Sequence, residues 1–160
     1  MKYFPIFMLV LGIILINKPA DARPEVPFEA VGCMALNLYH EARGENETAQ
    51  RAVNLVVINR VLSDKYPNTF CGVIKQGTGK KHKCQFSWYC DGKSDIPYDA
   101  QAWLQVNTLA WNMMVDYING NVDDFTDGAM YYHTIYVSPK WSKHFHLIGK
   151  LGDHFFYKEK

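Results

Sequence analysis

The hydrophobic pattern of this chain changes once along its length, and that change restricts the folds it can adopt. Residues 49–61 and 103–118 carry apolar side chains at steps of three and four, the spacing of helices with a buried face. From Ala129 onward the sequence is rich in β-branched and aromatic residues, and segments 145–148 and 154–157 flank glycines as in a β-hairpin. Helices followed by a small antiparallel sheet predict one α+β domain.

The helix ends are predicted from residues that favour them. Asp99 is suited to cap the last helix at its start, and Gly120 stands just beyond its end. A first helix is expected from Phe28 to Ala42, with Gly44 in the left-handed conformation that ends many helices. Three main helices therefore precede the sheet.

Glu41 falls in the last turn of that first helix and is the leading candidate for a chemical role. A carboxyl at the C-terminal end of a helix faces the negative end of the dipole, which raises its affinity for a proton. A carboxyl that stays protonated near neutral pH can act as a general acid. Glu45 is a second candidate, but Gly44 lies between the two acids, so they need not share a face.

The N-terminal residues follow the order of a secretory signal peptide. Lys2 precedes an apolar run over residues 3–16, and a small-x-small sequence ends at Ala22. The run is shorter than the roughly twenty residues of a stable membrane span. We expect residues 1–22 to be a signal peptide cleaved after Ala22, and residues 23–160 to form a secreted, periplasmic or envelope domain. A retained N-terminal anchor is the alternative.

Charge argues against nucleic acid as a partner. The whole chain has 17 Lys and Arg against 16 Asp and Glu. Cleavage would remove Lys2, Lys18 and Asp21, which leaves 15 of each sign and a formal net charge of zero. Binding to a phosphate backbone requires an excess of positive charge. We expect no nucleic-acid partner and a neutral monomer.

Four cysteines in an exported domain predict two disulfides. Three pairings are possible, and the short spacing of Cys84 and Cys90 favours that pair, which leaves Cys33 with Cys71. A zinc site is the weaker interpretation because no Cys-x-x-Cys pair is present.

The segment between Cys84 and Cys90 has the chemistry of a sugar-binding loop. Gln85 and Ser87 offer hydrogen bonds, while Phe86 and Trp88 offer aromatic faces for stacking. The alternative is that the two aromatic residues anchor the loop to the core.

Histidines in the C-terminal third raise the possibility of a metal site. His144 and His146 would point the same way on a strand. No third ligand stands at a spacing that would fix a metal, so we predict neither a metal nor a cofactor.

An ordered set of segments resembles the SleB/CwlJ family of cell-wall hydrolases. The first of them contains the sequence Glu41-Ala42-Arg43-Gly44-Glu45. The matching positions are 39–45, 50, 57–61, 66–74, 84–88, 90–92, 128–129, 132–133, 148–149 and 154–157. The set covers nearly all of residues 23–160.

The resemblance implies a lysozyme-like domain, related to lytic transglycosylases, that cleaves the glycan strands of peptidoglycan. It assigns the catalytic acid to Glu41, and it suggests that Glu45 orients the turn or contacts Arg43. We expect the loop at Gln85–Trp88 and the strand at Tyr132 and His133 to form the substrate groove.

Two outcomes of the chemistry remain open at this stage. With one carboxylate the product would be a 1,6-anhydro sugar, as in lytic transglycosylation. If Glu45 or Asp91 stood across the groove and activated water, the enzyme would be an inverting muramidase. Two alternatives come from other functional classes. The protein could be a glycan-binding module without catalytic activity, or a metal-dependent amidase whose metal is bound by the C-terminal histidines.

Overall fold

The computed structural model describes residues 25–77 and 83–160, and its elements confirm the α+β prediction. The signal peptide predicted for residues 1–22 lies outside the described residues. Two short 3₁₀ turns occur at Ser87–Cys90 and Lys140–His144. The helices are α1 (Phe28–Ala42), α2 (Glu47–Leu62), α3 (Phe70–Ile74) and α4 (Ala100–Ile118), and the strands are β1 (Tyr131–Thr134), β2 (His146–Leu151) and β3 (His154–Lys158).

Helix α2 is the central element of the fold. Every residue from Ala52 to Ile58 is buried, so this helix is enclosed on all sides rather than along one stripe. Helices α1, α3 and α4 and the sheet contact it, and α1 packs most extensively against α4. The apolar repeat of residues 49–61 therefore marks the helix around which the other elements assemble.

Side-chain caps begin both α4 and α2. The Asp99 carboxylate accepts hydrogen bonds from the backbone N–H groups of Gln101 and Ala102, as predicted. Asn46 caps α2 by accepting from the N–H of Ala49 at 3.0 Å. Gly120 has φ 69° just beyond α4, also as predicted.

The left-handed conformation predicted for Gly44 is wrong. Gly44 does not have a positive φ, and the backbone of Arg43 at the end of α1 is still in the right-handed helical region. The side-chain amide of Gln50 holds this junction instead, because it donates to the backbone carbonyls of Ala42 at 3.1 Å and Glu45 at 3.2 Å. A glycine cap is not needed where another side chain binds the free carbonyls.

The three strands form an antiparallel sheet in the order β1-β3-β2. The predicted hairpin is confirmed as β2 and β3, with Gly152 at φ 57° in the turn. Tyr132 lies opposite Phe156 across β1 and β3, and His133 lies opposite Phe155. Since side chains alternate along a strand, Tyr132 and His133 project from opposite faces.

The predicted cysteine pairing is confirmed in both bonds. Cys33 in α1 is bonded to Cys71 in α3, and Cys84 is bonded to Cys90. Helix α3 was not expected as an element because it has only five residues. It is capped by the Thr69 hydroxyl, which accepts from the N–H of Gly72.

The histidine pair in the C-terminal third does not lie on one strand. His144 ends the 3₁₀ turn and His146 begins β2, and both side chains are exposed. Within residues 25–77 and 83–160, no three side chains of His, Cys, Asp or Glu converge as metal ligands would. The same part of the chain contains no helix with the length and apolar character needed to cross a membrane.

Candidate active site

Glu41 lies in the last turn of α1, where two cavities adjoin. The inner cavity, about 190 Å³, lies between α1, the 84–90 loop and β1, and is also lined by Arg60 and Tyr132. The outer cavity, about 430 Å³, extends along the α1–α2 junction to the β2–β3 turn. Glu41 and Thr134 line both cavities. We call the two together the Glu41 groove.

The surroundings of Glu41 act on its proton in opposing directions. Burial raises the pKa of the carboxyl above its ordinary value, and this is the largest effect. A hydrogen bond from the Tyr132 hydroxyl to Oε2, 3.1 Å long, and the positive charge of Arg60 both act to lower that pKa. The net shift is upward, so the structure favours the protonated acid while providing partners for the carboxylate.

Tyr132 is held as a hydrogen-bond donor. Burial, followed by the negative charge of Glu41, raises the pKa of its phenol well above the ordinary value, so the group keeps its proton at neutral pH. Its ring also meets that of His154 edge-on, with centroids 5.3 Å apart. The prediction named Tyr132 as a substrate-binding residue, whereas here its hydroxyl contacts the acid itself.

Arg60 is a buried cation next to the inner cavity. It is 5% exposed, and its Nε donates to the carbonyl of Met130 at 2.8 Å. Its guanidinium lies over the rings of Tyr66 and Phe86 at 5.2 and 5.4 Å from their centroids. Its position within an otherwise apolar helical repeat gave no signal that it would lie near Glu41.

Neighbouring Asn59 fixes the segment that leads into β1. Its side-chain amide donates to the Asp124 carboxylate at 3.0 Å and to the carbonyl of Ala129 at 3.1 Å. Together with the Arg60 bond to Met130, these contacts bind the approach to β1 against α2. The phenol of Tyr132 is thereby placed over Glu41.

The 84–90 loop contributes polar side chains to the inner cavity, but Trp88 of this loop does not reach the cavity. Gln85 and Ser87 are exposed and line that cavity, as does His133. Trp88 lines neither part of the Glu41 groove. Its indole N–H donates to Asn37 at 3.2 Å, and its ring stacks on His40 at 4.6 Å.

Phe86 is as deeply enclosed as Trp88. The two side chains are 2% and 8% exposed, so their faces are not available for stacking on a sugar. The structure thus favours the alternative that both anchor the loop. Of the four loop residues predicted to bind substrate, Gln85, Phe86 and Ser87 line the inner cavity, Phe86 with only a small part of its ring, and Trp88 does not.

Arg43 forms part of the outer cavity wall. Its Nη1 donates to the carbonyl of Tyr39 at 3.0 Å, and its Nη2 donates to the hydroxyl of Tyr98 at 2.9 Å. Tyr98 is 81% exposed and was not predicted as part of the site. Its place follows from Tyr39, whose buried hydroxyl accepts from the N–H groups of Tyr98 and Asp99 and so binds the start of α4 to α1.

Glu45 forms no hydrogen bond or ion pair with Arg43, so of the two roles suggested for it, orienting the turn fits its contacts better. Its carboxylate instead accepts from the N–H of Asp153 at 3.0 Å and lies 3.6 Å from Nδ1 of His154. Burial lowers the pKa of His154, which keeps this ring neutral near pH 7. Glu45 therefore joins the α1–α2 junction to the β2–β3 turn.

The outer cavity has a third carboxylate besides Glu41 and Glu45, and the sequence did not point to it. Asp153 lines that cavity, and its Oδ2 accepts from the Tyr136 hydroxyl at 2.9 Å. Asp91, which the sequence suggested as a possible base, lines neither cavity of the Glu41 groove and pairs locally with Lys93. A tight turn beside Gly152 was the available signal for Asp153, since turns carry functional residues.

Comparison with known proteins identifies the family. The profile of the cell wall hydrolases matches residues 44–157, a span that begins three residues after Glu41. The chain belongs to the cell wall hydrolase family. The spore cortex-lytic enzyme of Bacillus cereus is 36% identical over 126 residues, which cover 78% of this chain and 42% of that enzyme. The chain thus spans less than half the length of the curated relatives it matches.

Two solved structures of cell wall hydrolases resemble this chain over most of its length. One is the catalytic domain of the germination-specific lytic transglycosylase SleB of Bacillus anthracis, 33% identical, with 85% of this chain and 99% of that chain covered at a TM-score of 0.61. The other is the catalytic domain of SleB of Bacillus cereus, 28% identical, with 89% and 99% covered at a TM-score of 0.61.

Proposed function

We propose that this cell wall hydrolase cleaves peptidoglycan strands between N-acetylmuramic acid and N-acetylglucosamine as a lytic transglycosylase, with Glu41 as its one catalytic residue. The observation that carries the proposal is the placement of Glu41, a carboxyl with a raised pKa where two cavities adjoin. The related lytic transglycosylase of Bacillus anthracis supports the reaction class.

In the first step, Glu41 donates its proton to the glycosidic oxygen. The bond from that oxygen to C1 of the muramic acid breaks, and the departing N-acetylglucosamine keeps the oxygen as a hydroxyl. Positive charge of the oxocarbenium type develops at C1. Because the Tyr132 hydroxyl binds Oε2, the proton is carried on Oε1.

In the second step, the Glu41 carboxylate acts as the base. It takes the proton from the C6 hydroxyl of the muramic acid as O6 forms a bond to C1, which gives a 1,6-anhydro ring and restores the acid. No water is consumed. The hydrogen bond from Tyr132 and the charge of Arg60 stabilise the carboxylate between the two steps.

Hydrolysis with inversion is the second candidate, favoured by Asp153 in the outer cavity. An inverting enzyme needs a base about 6.5–9.5 Å from the acid, with room for a water between them. Glu45 lines the same cavity, but its carboxylate is occupied by the N–H of Asp153. Asp153 also accepts a hydrogen bond, but from the exposed side chain of Tyr136, which can rotate away more readily than a backbone N–H, so Asp153 is the stronger base candidate of the two.

Mass spectrometry of digested glycan strands separates the two reactions. We expect products that end in 1,6-anhydro-muramic acid. Products heavier by one water molecule, with a free reducing end, would contradict transglycosylation and favour Asp153 as the base. Binding to the strands with no new ends of either kind would indicate a glycan-binding module. Release of peptides alone, abolished by a chelator, would indicate an amidase.

The role of Glu41 is tested by Glu41→Gln, which keeps the size of the side chain and removes the proton donor. We expect wall-clearing activity to fall by roughly a hundred- to ten-thousand-fold, the contribution of a general acid. Glu29→Gln is the matched control because it removes an exposed carboxylate from the same helix. A folded Glu41→Gln protein that clears walls at the wild-type rate would refute the assignment.

We also propose that the protein acts outside the cytoplasm, in the cell envelope. The substrate class and the signal-peptide order of residues 1–22 support this location. N-terminal sequencing of the protein recovered from cells would identify cleavage after Ala22 or retention of the segment.

A further inference from the structure

A third cavity, which we call the α4 cavity, lies beside the Glu41 groove. Its volume is about 430 Å³, the same as that of the outer cavity. It lies between the α1–α2 junction and an exposed face of α4. The residues that give it its polar character are Arg43, Glu47 and Gln50 from the junction and Gln105, Thr108 and Asn112 from α4.

The α4 cavity adjoins the outer cavity. Arg43 and Glu45 line both, so these two residues form the partition between them. A substituent on a sugar bound in the outer cavity could reach the α4 cavity past these two side chains. In peptidoglycan, muramic acid carries such a substituent, the stem peptide attached through its lactyl group.

The chemistry of the α4 cavity suits a peptide better than a sugar. No aromatic ring lines it, and sugars are commonly held by ring stacking. Gln105 and Asn112 instead offer both donors and acceptors, which match the N–H and carbonyl groups of peptide bonds.

Two charged side chains add to that match. Arg43 uses two of its five N–H donors on Tyr39 and Tyr98, and it forms no ion pair with the carboxylates of residues 25–77 and 83–160. Glu47 is 73% exposed, with only a 4.0 Å contact to Arg51. A stem peptide contains both carboxylates and, in its diamino acid, an amine, so it could use both charges.

We propose that the α4 cavity binds the stem peptide of the muramic acid whose glycosidic bond is cleaved, so that the enzyme prefers strands that retain their peptides. This inference rests on the proposed function. It assigns to Arg43 a second task besides forming the outer cavity wall, namely to pair with a carboxylate of the peptide.

The test compares two substrates made from the same wall preparation. One is uncrosslinked glycan with its stem peptides, and the other is the same glycan after an amidase has removed them. For the full-length wild-type chain, we expect kcat/KM to be about tenfold higher on the peptide-bearing strands, the effect of one or two net hydrogen bonds.

The variant is Gln105→Trp, which fills the α4 cavity from an exposed helix position. Its matched control is Gln101→Trp, one turn earlier on the same helix, also exposed but not part of the cavity. We expect Gln105→Trp to lose the preference through a higher KM on peptide-bearing strands, while Gln101→Trp keeps it.

Three results would overturn the inference: a wild-type enzyme that cleaves both substrates equally, a Gln105→Trp enzyme that keeps the preference, or an equal loss on both substrates. Each of these leaves glycan cleavage itself intact or measurable. Wild-type enzyme that produces no new glycan ends from either substrate would instead refute the proposed function.

Discussion

At the scale of single residues, Glu41 is placed between opposing influences. Burial favours its neutral form, whereas the Tyr132 hydroxyl and the Arg60 charge favour its anion. In the proposed reaction Glu41 acts first as an acid and then as a base, which requires both forms to be accessible near the working pH. The surroundings of Glu41 meet that requirement with one hydrogen bond and one buried cation.

The pH dependence of catalysis tests this balance. The acid must be protonated in the free enzyme, so kcat/KM should fall as pH rises through the raised pKa of Glu41. Tyr132→Phe removes the hydrogen bond that lowers this pKa, so the alkaline limb of the pH–rate profile should move to higher pH. Tyr117→Phe, at a half-buried tyrosine of α4, is the control. An unmoved limb, or one at lower pH, would contradict the arrangement.

The sequence pointed to Glu41 but not to most of its partners. Glu41 could be selected because its position at a helix end is a local property. The contact with Tyr132 joins residues 91 positions apart, and the influence of Arg60 comes from a different helix. The two interpretations of Trp88 stayed open for a related reason: a local composition of aromatic and polar residues does not reveal which rings become enclosed.

At the scale of elements, the groove depends on how the β2–β3 turn meets the α1–α2 junction. The Glu45 carboxylate accepts a hydrogen bond from the N–H of Asp153. The backbone of Gly152 packs against the same carboxylate. A Cβ at Gly152 would collide with the Glu45 carboxylate and lie 2.7 Å from the Cβ of Ala49. The positive φ of this glycine adds to the requirement.

Gly152→Ala should therefore displace the turn from the junction. We expect a loss of about 1–3 kcal/mol in the free energy of unfolding, because both overpacking and backbone strain oppose the methyl group. Urea denaturation measures the loss. Gly149→Ala in β2 is the control, since nothing lies within 4 Å of its added Cβ. Equal stability of the two variants would refute the close approach.

At the scale of the whole molecule, two covalent links restrain the chain to different extents. The Cys33 to Cys71 bond spans 38 positions and joins α1 to α3, whereas the Cys84 to Cys90 bond spans six within one loop. In the chain-entropy account, a longer closed loop removes more freedom from the unfolded state. The two bonds should then differ in their contribution to stability.

Replacing each pair with alanine tests that difference. Loss of the long link should lower the free energy of unfolding by roughly 4 kcal/mol, and loss of the short link by roughly 2 kcal/mol, by the loop-length relation. Denaturation under non-oxidising and non-reducing conditions gives both values. A larger loss for the Cys84 and Cys90 pair would mean that this bond acts on the folded loop rather than on the unfolded chain.

By itself the sequence determined the α+β order, the pairing of the cysteines, the α4 cap at Asp99 and the position of Glu41 at a helix end. Most of these follow from spacing or propensity within a short stretch of chain, and the Cys33–Cys71 pair follows by elimination once the short Cys84–Cys90 pair is assigned. The tertiary structure alone decided that Tyr132 binds Glu41 and that Glu45 binds the turn 108 positions away. It also produced the three cavities. Such contacts arise from packing between distant elements, and local periodicity does not specify which side chains that packing brings together.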